Sequence, residues 1–297
     1  MTGRLGIVAC DVVSREIEAV VDGRDIPVRV MEYALHERPK EMAAPLNRAA
    51  EEMMASGCER VGLCYGLCSN GTVGVHSRGG LTVPRCHDCI SMLVGSPARY
   101  MRMFAERPGT LYVTDGWLRN AGDPLSIVEK RYTPRLGAKK AFKGMSLELA
   151  NYSYICLINN GLGDVGRMRA RARENCRAFN MEFVEVEADL SYFKAFVDGP
   201  WPGDDFMILG PGEKVTEDFF HSSPVSLAAG EWRGSERARA APGPLPAGST
   251  RAGRGPATGT PGGIPSLVPG RPVRRDDGGE DGGERQRGRP SREGRPL

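Results

Sequence analysis

The 297-residue sequence contains no long hydrophobic segment. No run approaches the roughly 20 apolar residues that a membrane-spanning helix needs. The N-terminal apolar stretch is only about six residues long, which is too short for the core of a signal peptide and is typical of a buried strand. These absences argue against a membrane or secreted protein, and we expect a cytoplasmic one.

The sequence also lacks a strong charge of either sign, because its formal net charge is only +3. Composition therefore gives no reason to expect a membrane surface or a nucleic acid as a partner. Hydrophobic residues make up 40% and charged residues 26%, as is ordinary for a globular protein. A chain of this length can bury a substantial core.

Several catalytic and nucleotide-binding signatures are missing. The motif G-x-x-x-x-G-K-[ST] does not occur, and no serine-centred nucleophile elbow is visible. Glycines do follow predicted strands, at Gly66 and Gly71 and again at Gly161 and Gly163, where residues 161–166 have the spacing G-x-G-x-x-G. Without a Walker-type lysine, these glycines are better interpreted as turn residues than as a phosphate cradle.

The last part of the chain has no lysine and almost no apolar periodicity. From Ser223 onward the sequence is rich in glycine, proline and arginine. Such a segment cannot bury enough surface to offset its ordering entropy, so we predict a folded domain over residues 1–222 and a disordered tail over 223–297. The abrupt change is also typical of translation in another reading frame of GC-rich DNA.

What the sequence does contain is a dense group of cysteines. Cys64 and Cys68 are spaced C-x3-C, Cys86 and Cys89 are spaced C-x2-C, and His87 lies within the second pair. In a reducing compartment such cysteines are expected to be buried, metal-bound or reactive rather than disulfide-paired. Thiolates and imidazole bind zinc and iron–sulfur clusters well.

The individual cysteines are not equally good candidates. Cys68 lies in a glycine-rich turn that allows close approach of a ligand. Cys89 is predicted to lie in the first turn of a helix, where the helix dipole favours a thiolate. Cys10 ends the first predicted strand and could join them, whereas Cys64 and Cys86 are weaker candidates because the former closes a buried strand. Three interpretations stay open: a metal or cluster site, a dithiol redox site using Cys86 and Cys89, and buried structural cysteines.

Apolar patterns predict an alternation of strands and helices along the folded part. The predicted strands cover residues 4–10, 27–31, 60–64, 81–84, 110–114, 152–159, 182–186 and 206–209. The predicted helices cover residues 14–21, 45–55, 86–94, 96–104, 134–149, 165–179 and 191–197, with a turn at 115–117. This alternation predicts an α/β fold, with a mostly parallel, Rossmann-like sheet and helices on both faces, in one or two lobes.

Ligands of such sheets bind beyond the carboxyl ends of the strands. A second hypothesis is therefore a small-molecule binding protein whose pocket lies at those ends, with the cysteines only lining it. The candidate binding residues are polar or aromatic residues in loops after strands: Asn70, Asp115, Trp117, Asn160 and Asp164.

Two sequence blocks resemble the domain-of-unknown-function family 1638 of bacteria and archaea. They are Tyr-Gly-Leu-Cys-Ser-Asn-Gly-Thr-Val-Gly at residues 65–74 and Pro-Arg-Cys-His-Asp-Cys-Ile at 84–90. Shorter similar pieces occur at residues 7–10, 108–117, 160–164 and 210–212, so the resemblance covers residues 4–217.

The resemblance implies a metal site formed by Cys10, Cys68, His87 and Cys89, with zinc or an iron–sulfur cluster as the cofactor. It also implies an association with corrinoid-dependent methyl-transfer proteins. We therefore expect a metalloprotein that acts as an enzyme or accessory factor in corrinoid or one-carbon methyl metabolism.

Overall fold

The computed structural model describes residues 3–221, and these form an α/β protein with two mostly parallel sheets. The strands are β1 Leu5–Cys10, β2 Val28–Met31, β3 Arg60–Cys64, β4 Leu81–Pro84, β5 Thr110–Val113, β6 Tyr154–Asn159, β7 Glu182–Glu187 and β8 Phe206–Leu209. The helices are α1 Ser14–Val21, α2 Pro39–Ala55, α3 Cys89–Leu93, α4 Pro97–Glu106, α5 Asp115–Arg119, α6 Pro124–Ile127, α7 Thr133–Leu136, α8 Ala138–Glu148, α9 Val165–Phe179, α10 Ser191–Asp198 and α11 Asp218–His221. Short 3-10 helices cover Asp11–Val13 and Tyr33–Glu37, and a π-helical turn covers Val128–Tyr132.

The first sheet has the strand order β2-β1-β3-β4-β8. Its first four strands are parallel, and β8 pairs antiparallel with β4 at the edge. Helices cover both faces of this sheet, as two glycines on the neighbouring strands β1 and β3 show. A Cβ at Gly6 would touch Met53 of α2, whereas one at Gly62, which faces the opposite side in the strand register, would touch Phe196 of α10.

The second sheet has the order β5-β6-β7 and is wholly parallel. Alternate residues of its strands face two different layers. Leu111 and Ile155 pack with α8 and α9, whereas Tyr112 and Cys156 belong to the core that surrounds the first sheet. One continuous core therefore includes residues from both sheets.

The predicted fold class is confirmed, and the main differences lie at the starts of helices. The helix predicted to begin at Pro45 begins at Pro39, and Pro45 lies inside it. Met42 is fully buried, so the apolar face of this helix extends one turn before Pro45 and overrides the local preference of proline. The helix predicted over residues 14–21 has the observed bounds of α1, and the hydroxyl of its first residue, Ser14, donates to the Asp11 carbonyl oxygen.

Two further elements differ from the prediction near the site. The helix predicted from Cys86 begins at Cys89, because the Asp88 side chain accepts a hydrogen bond from Ile90 N and caps it. The predicted turn at 115–117 is the helix α5, which Thr114 caps through Trp117 N. The predicted tail, residues 223–297, lies outside the described residues.

Candidate functional site

Three neighbouring strands deliver cysteines to one edge of the first sheet. β1 ends at Cys10, β3 ends at Cys64, and Cys86 follows two residues after the end of β4. Because these strands are parallel, their carboxyl ends lie at the same edge, and Ala9 is paired directly with Cys64. Cysteines that are up to 76 positions apart in the chain are thereby brought into one region.

The loop after β3 brings Cys68 to the same place. Leu67 N donates to Cys86 O and Cys68 N donates to His87 O, both at 2.9 Å. This close pairing requires Gly66, since a Cβ there would lie 2.7 Å from Cys86 O. The two cysteine-containing loops are therefore held in direct backbone contact.

Cys68 begins an unusual left-handed turn. Cys68, Ser69 and Asn70 have φ angles of 49°, 56° and 64°. For an L-residue this conformation costs about 1–2 kcal/mol, less for asparagine, so three in succession are a substantial local strain. The turn is closed by Gly71 N donating to Cys68 O at 3.0 Å and by the Thr72 hydroxyl donating to Gly66 O at 3.1 Å. Non-glycine residues with this geometry concentrate at functional sites.

Cys89 is the first residue of α3 and is buried. We use the term thiol cluster for Cys10, Cys64, Cys68, Cys86 and Cys89 together. Burial raises the pKa of every one of these thiols, to about 12 for Cys10. Neighbouring thiols add to this effect, because Cys68 and Cys10 raise the pKa of Cys89 and Cys10 raises that of Cys68. The cluster is therefore uncharged at neutral pH.

The imidazole in contact with the thiol cluster at Cys10 belongs to His36, which our sequence analysis did not select. His36 Nε2 lies 3.0 Å from Cys10 Sγ, and its ring stacks on Tyr65 with 6.1 Å between centroids. Burial lowers the pKa of His36 to about 4, so its ring is neutral. It had no nearby cysteine in the sequence, but it follows β2, the strand paired with β1 at Cys10. Only that strand pairing, which no local sequence pattern contains, brings it to the thiol cluster.

The predicted metal ligands are only partly brought together. Cys10, Cys68 and Cys89 belong to one cluster, and the backbone carbonyl of His87 contacts Cys68. Within residues 3–221, however, no three histidine, cysteine, aspartate or glutamate side chains stand in an arrangement that could hold a metal ion. The three cysteines without a predicted role, Cys58, Cys156 and Cys176, are buried in the two cores.

The predicted binding residues of the second sheet lie at its carboxyl edge, against the segment that follows β1. Asp115 accepts from Arg15 at 3.0 Å and from Arg119 at 2.8 Å. Asn160 donates to the buried Glu16 at 2.6 Å. These contacts join the carboxyl edges of the two sheets through a polar layer.

The five predicted binding residues do not form one pocket. Asp115 and Asp164 line an open cavity of about 830 Å³ beside α9. Trp117 packs against the main core, Asn160 is engaged with Glu16, and Asn70 lies in the exposed left-handed turn. Asn70 therefore belongs to the surroundings of the thiol cluster rather than to the cavity.

The glycine-rich loop at residues 160–164 uses two of its amides internally. Gly161 N and Leu162 N donate to the side chains of Asn159 and Asn160, and Arg167 N donates to Asp164. A phosphate cradle needs such amides to be available for a ligand. This arrangement favours the interpretation of the loop as a turn and helix cap.

The fold and site define an α/β protein with two mostly parallel sheets and a buried thiol cluster at the strand ends. A family model described as "Protein of unknown function (DUF1638)" matches residues 30–197, which is more than half of the chain. The protein therefore belongs to this family, as its two cysteine-containing blocks predicted. Cys10 precedes the matched segment, whereas the other four members of the thiol cluster lie inside it.

Two other comparisons gave no relatives: no curated protein and no solved structure matched the chain. In the described part of the chain, no helix has both the length and the apolar character needed to cross a membrane.

Proposed function

We propose that the protein is a cytoplasmic metalloprotein that holds zinc or an iron–sulfur cluster at the thiol cluster. Cys10, Cys68 and Cys89 would provide the thiolates, with Cys64 and Cys86 as secondary candidates. The observation that carries the proposal is the convergence of four buried thiols and the partly buried Cys68 from three strand ends, a strained turn and the start of α3. Soft sulfur donors of this kind suit zinc and iron.

Three buried oxygen atoms near the thiol cluster support the proposal. Tyr65 Oη, Asp88 Oδ2 and Glu16 Oε2 form no hydrogen bond of good geometry among residues 3–221, although the Tyr65 hydroxyl faces Cys10 and Asp88 faces Tyr100. Each of these groups interacts electrostatically with a thiol of the cluster. Buried polar atoms usually have a partner, and their desolvation costs about 1–3 kcal/mol when they lack one. A cation in the cluster would offset part of this cost, whereas neutral thiols would not.

The donor types fit a soft metal, but the side chains as placed do not form a ready-made site. Binding would need the thiols to rotate toward one point and to lose their protons. The nitrogen ligand proposed from the sequence is His87. His36 is a second candidate, because its Nε2 already lies 3.0 Å from Cys10 Sγ.

The chemistry that the bound metal would support is thiol or methyl transfer, and no single reaction is proposed. A bound zinc ion would supply Lewis acidity for thiol or methyl transfer. The residues of the chain would hold that ion beneath the exposed turn of Ser69 and Asn70, which is where a partner could approach. An enzyme or accessory role beside corrinoid-dependent methyl-transfer proteins rests on the family resemblance and stays a prediction.

The test is the metal content of the anaerobically purified full chain. We expect near-stoichiometric zinc or iron by mass spectrometry, with a visible absorption band if an iron–sulfur cluster is present. Cys10→Ser, Cys68→Ser and Cys89→Ser should each lower metal affinity at least about tenfold, since each removes a thiolate ligand. Cys58→Ser is the matched control, because Cys58 is also buried but lies outside the thiol cluster.

Two results would count against the proposal. One is a colourless, metal-free protein that retains eight titratable thiols after unfolding. The other is an equal loss of metal in Cys58→Ser and Cys68→Ser when circular dichroism shows both variants folded. If Cys86→Ser instead abolished reductant-dependent disulfide exchange in a metal-free protein, the dithiol redox interpretation would replace this one.

A further inference from the structure

The cavity of about 830 Å³ lies at the carboxyl edge of the second sheet, and no cysteine of the thiol cluster lines it. One wall is the face of α9, and the opposite walls are α5, α6 and the π-helical turn that follows α6. Arg15 of α1 completes the cavity. Its volume is within the range of roughly 300–1,000 Å³ that small-molecule sites occupy, and ligands of α/β sheets bind at this edge.

Charged side chains dominate the cavity lining. The cations are Arg15, Arg119, Lys130, Arg167, Arg171 and Arg177, and the carboxylates are Asp115, Asp123, Glu129, Asp164 and Glu174. A cavity with this lining can hold a charged ligand only if some of its charges are not already used by one another. The ion pairs among these side chains therefore decide whether the cavity can bind an anionic or a cationic ligand.

Three of the six cations form ion pairs with carboxylates of the cavity lining. Arg15 and Arg119 both bind Asp115. Arg171 binds Asp123, Glu129 and Glu174, at 3.0, 3.2 and 2.8 Å respectively. These pairs use four of the five lining carboxylates and hold the arginines in fixed positions.

The other three cations make no ion pair within residues 3–221. They are Lys130, Arg167 and Arg177. The one carboxylate left, Asp164, accepts a hydrogen bond from Arg167 N and caps α9. Six cations against five carboxylates give the lining a net charge of +1, and the three unpaired cations are exposed to solvent, where a ligand could reach them.

The unpaired cations are also spread out. Arg167 and Arg177 are ten residues apart on α9, which corresponds to about 15 Å along the axis, so a small ligand reaches only one of them. Arg167 on the first turn of α9 and Lys130 on the opposite wall are two cations that one small ligand could engage together. A ligand with two or more anionic groups would match such a pair.

We propose that this cavity binds a small organic anion with at least two negative groups, either phosphates or carboxylates. Arg167 and Lys130 contact the anionic groups, and Arg171 is a positioning residue because its guanidinium is already held by three carboxylates. The proposal depends on the charges around the cavity and is independent of metal binding at the thiol cluster.

The test uses pyrophosphate and citrate as probes, titrated into the full-length protein by calorimetry at constant ionic strength. We expect saturable binding of at least one probe with one-to-one stoichiometry. Arg167→Gln and Lys130→Gln should each weaken it about tenfold or more, as expected for loss of a charge-assisted hydrogen bond. Thermal unfolding without ligand should stay unchanged, because neither side chain makes an ion pair in the described residues.

Lys139→Gln is the matched control, since it removes one positive charge from the exposed side of α8 and should change the affinity less than about twofold. Preference for pyrophosphate would identify a phosphate ligand, and preference for citrate a carboxylate ligand. Failure of both probes to bind would overturn the proposal. So would equal weakening in Lys139→Gln, which would indicate non-specific charge attraction, or binding that is insensitive to Arg167→Gln, which would indicate chelation of a metal by the probe.

Discussion

Glu16 is the residue at which burial and charge oppose each other most directly. Its side chain is 1% exposed, and only one carboxyl oxygen has a partner, the amide of Asn160 at 2.6 Å. Burial is the main reason why the pKa of Glu16 is raised. The folded protein therefore holds this proton at pH values where the unfolded chain has lost it. The free energy of unfolding should accordingly decrease as the pH rises from about 4, where an ordinary glutamate ionises, through the raised value.

Glu16→Gln removes this pH dependence, because glutamine stays neutral. We expect the variant to be more stable than the wild type at pH 8 and to lose that advantage toward pH 4, as measured by urea unfolding across this range. Glu18→Gln is the control, since Glu18 is exposed on the same helix. A variant that is less stable than wild type at pH 8 would show that the Glu16 carboxylate is stabilised by a partner.

At the residue scale, the sequence predicts that cysteines converge at the strand ends, but not that His36 contacts Cys10. Cys10, Cys68 and Cys89 could be selected because strand ends and helix starts are local features with a common edge. His36 could not, because its position depends on the pairing of β2 with β1. Pairing between strands is a long-range property that local periodicity does not contain.

At the scale of elements, the closest approach is between α5 and the 3-10 turn after β1. A Cβ at Gly116 would lie 1.9 Å from Val12 O. Both atoms belong to main-chain segments, so the contact cannot be relieved by turning a side chain. Gly116→Ala should therefore lower the free energy of unfolding by about 3 kcal/mol or more, measured by urea unfolding.

Gly144→Ala is the matched change in another helix. Gly144 lies within α8, and a Cβ there would meet nothing within 4 Å. Alanine should raise the free energy of unfolding by about 0.5–1 kcal/mol, because glycine is a poor helix former. Similar effects of the two substitutions would contradict the packing of α5 on this turn.

The predicted and observed bounds of the helices agree best where the helix is long enough to show several turns of apolar periodicity. The helix predicted over residues 165–179 has the observed bounds of α9. In contrast, α5 has five residues and depends on the Thr114 cap and on packing against Val12. Such short helices are stabilised by tertiary contacts, so their sequences give little indication of them.

At the scale of the whole molecule, alternation of strands and helices predicts the α/β class but not the division into two sheets. Whether β4 pairs with β5 or with β8 is decided by distant residues, and the antiparallel β8 closes the first sheet. The polar layer between the two carboxyl edges follows from this topology. It joins Asp11 to Arg119 at 3.2 Å and Arg15 to Asp115 at 3.0 Å, across more than 90 residues of chain.

These links, and a core that includes side chains of both sheets, predict that the two sheets unfold together. Trp117 lies in α5, directly after β5 of the second sheet, whereas Trp201 lies between α10 and β8, the edge strand of the first sheet, and both contact the main core. In a Trp232→Phe background, which removes the tryptophan outside the described residues, Trp201→Phe and Trp117→Phe leave one reporter each. We expect the same urea midpoint from both fluorescence signals, as for a two-state transition.

Arg119→Gln should lower the free energy of unfolding by about 1–2 kcal/mol and shift both midpoints equally, since it breaks hydrogen bonds to Asp11 and Asp115. Arg135→Gln, an exposed change on α7, is the control, and two separated midpoints in the wild-type arginine background would mean that the sheets fold independently.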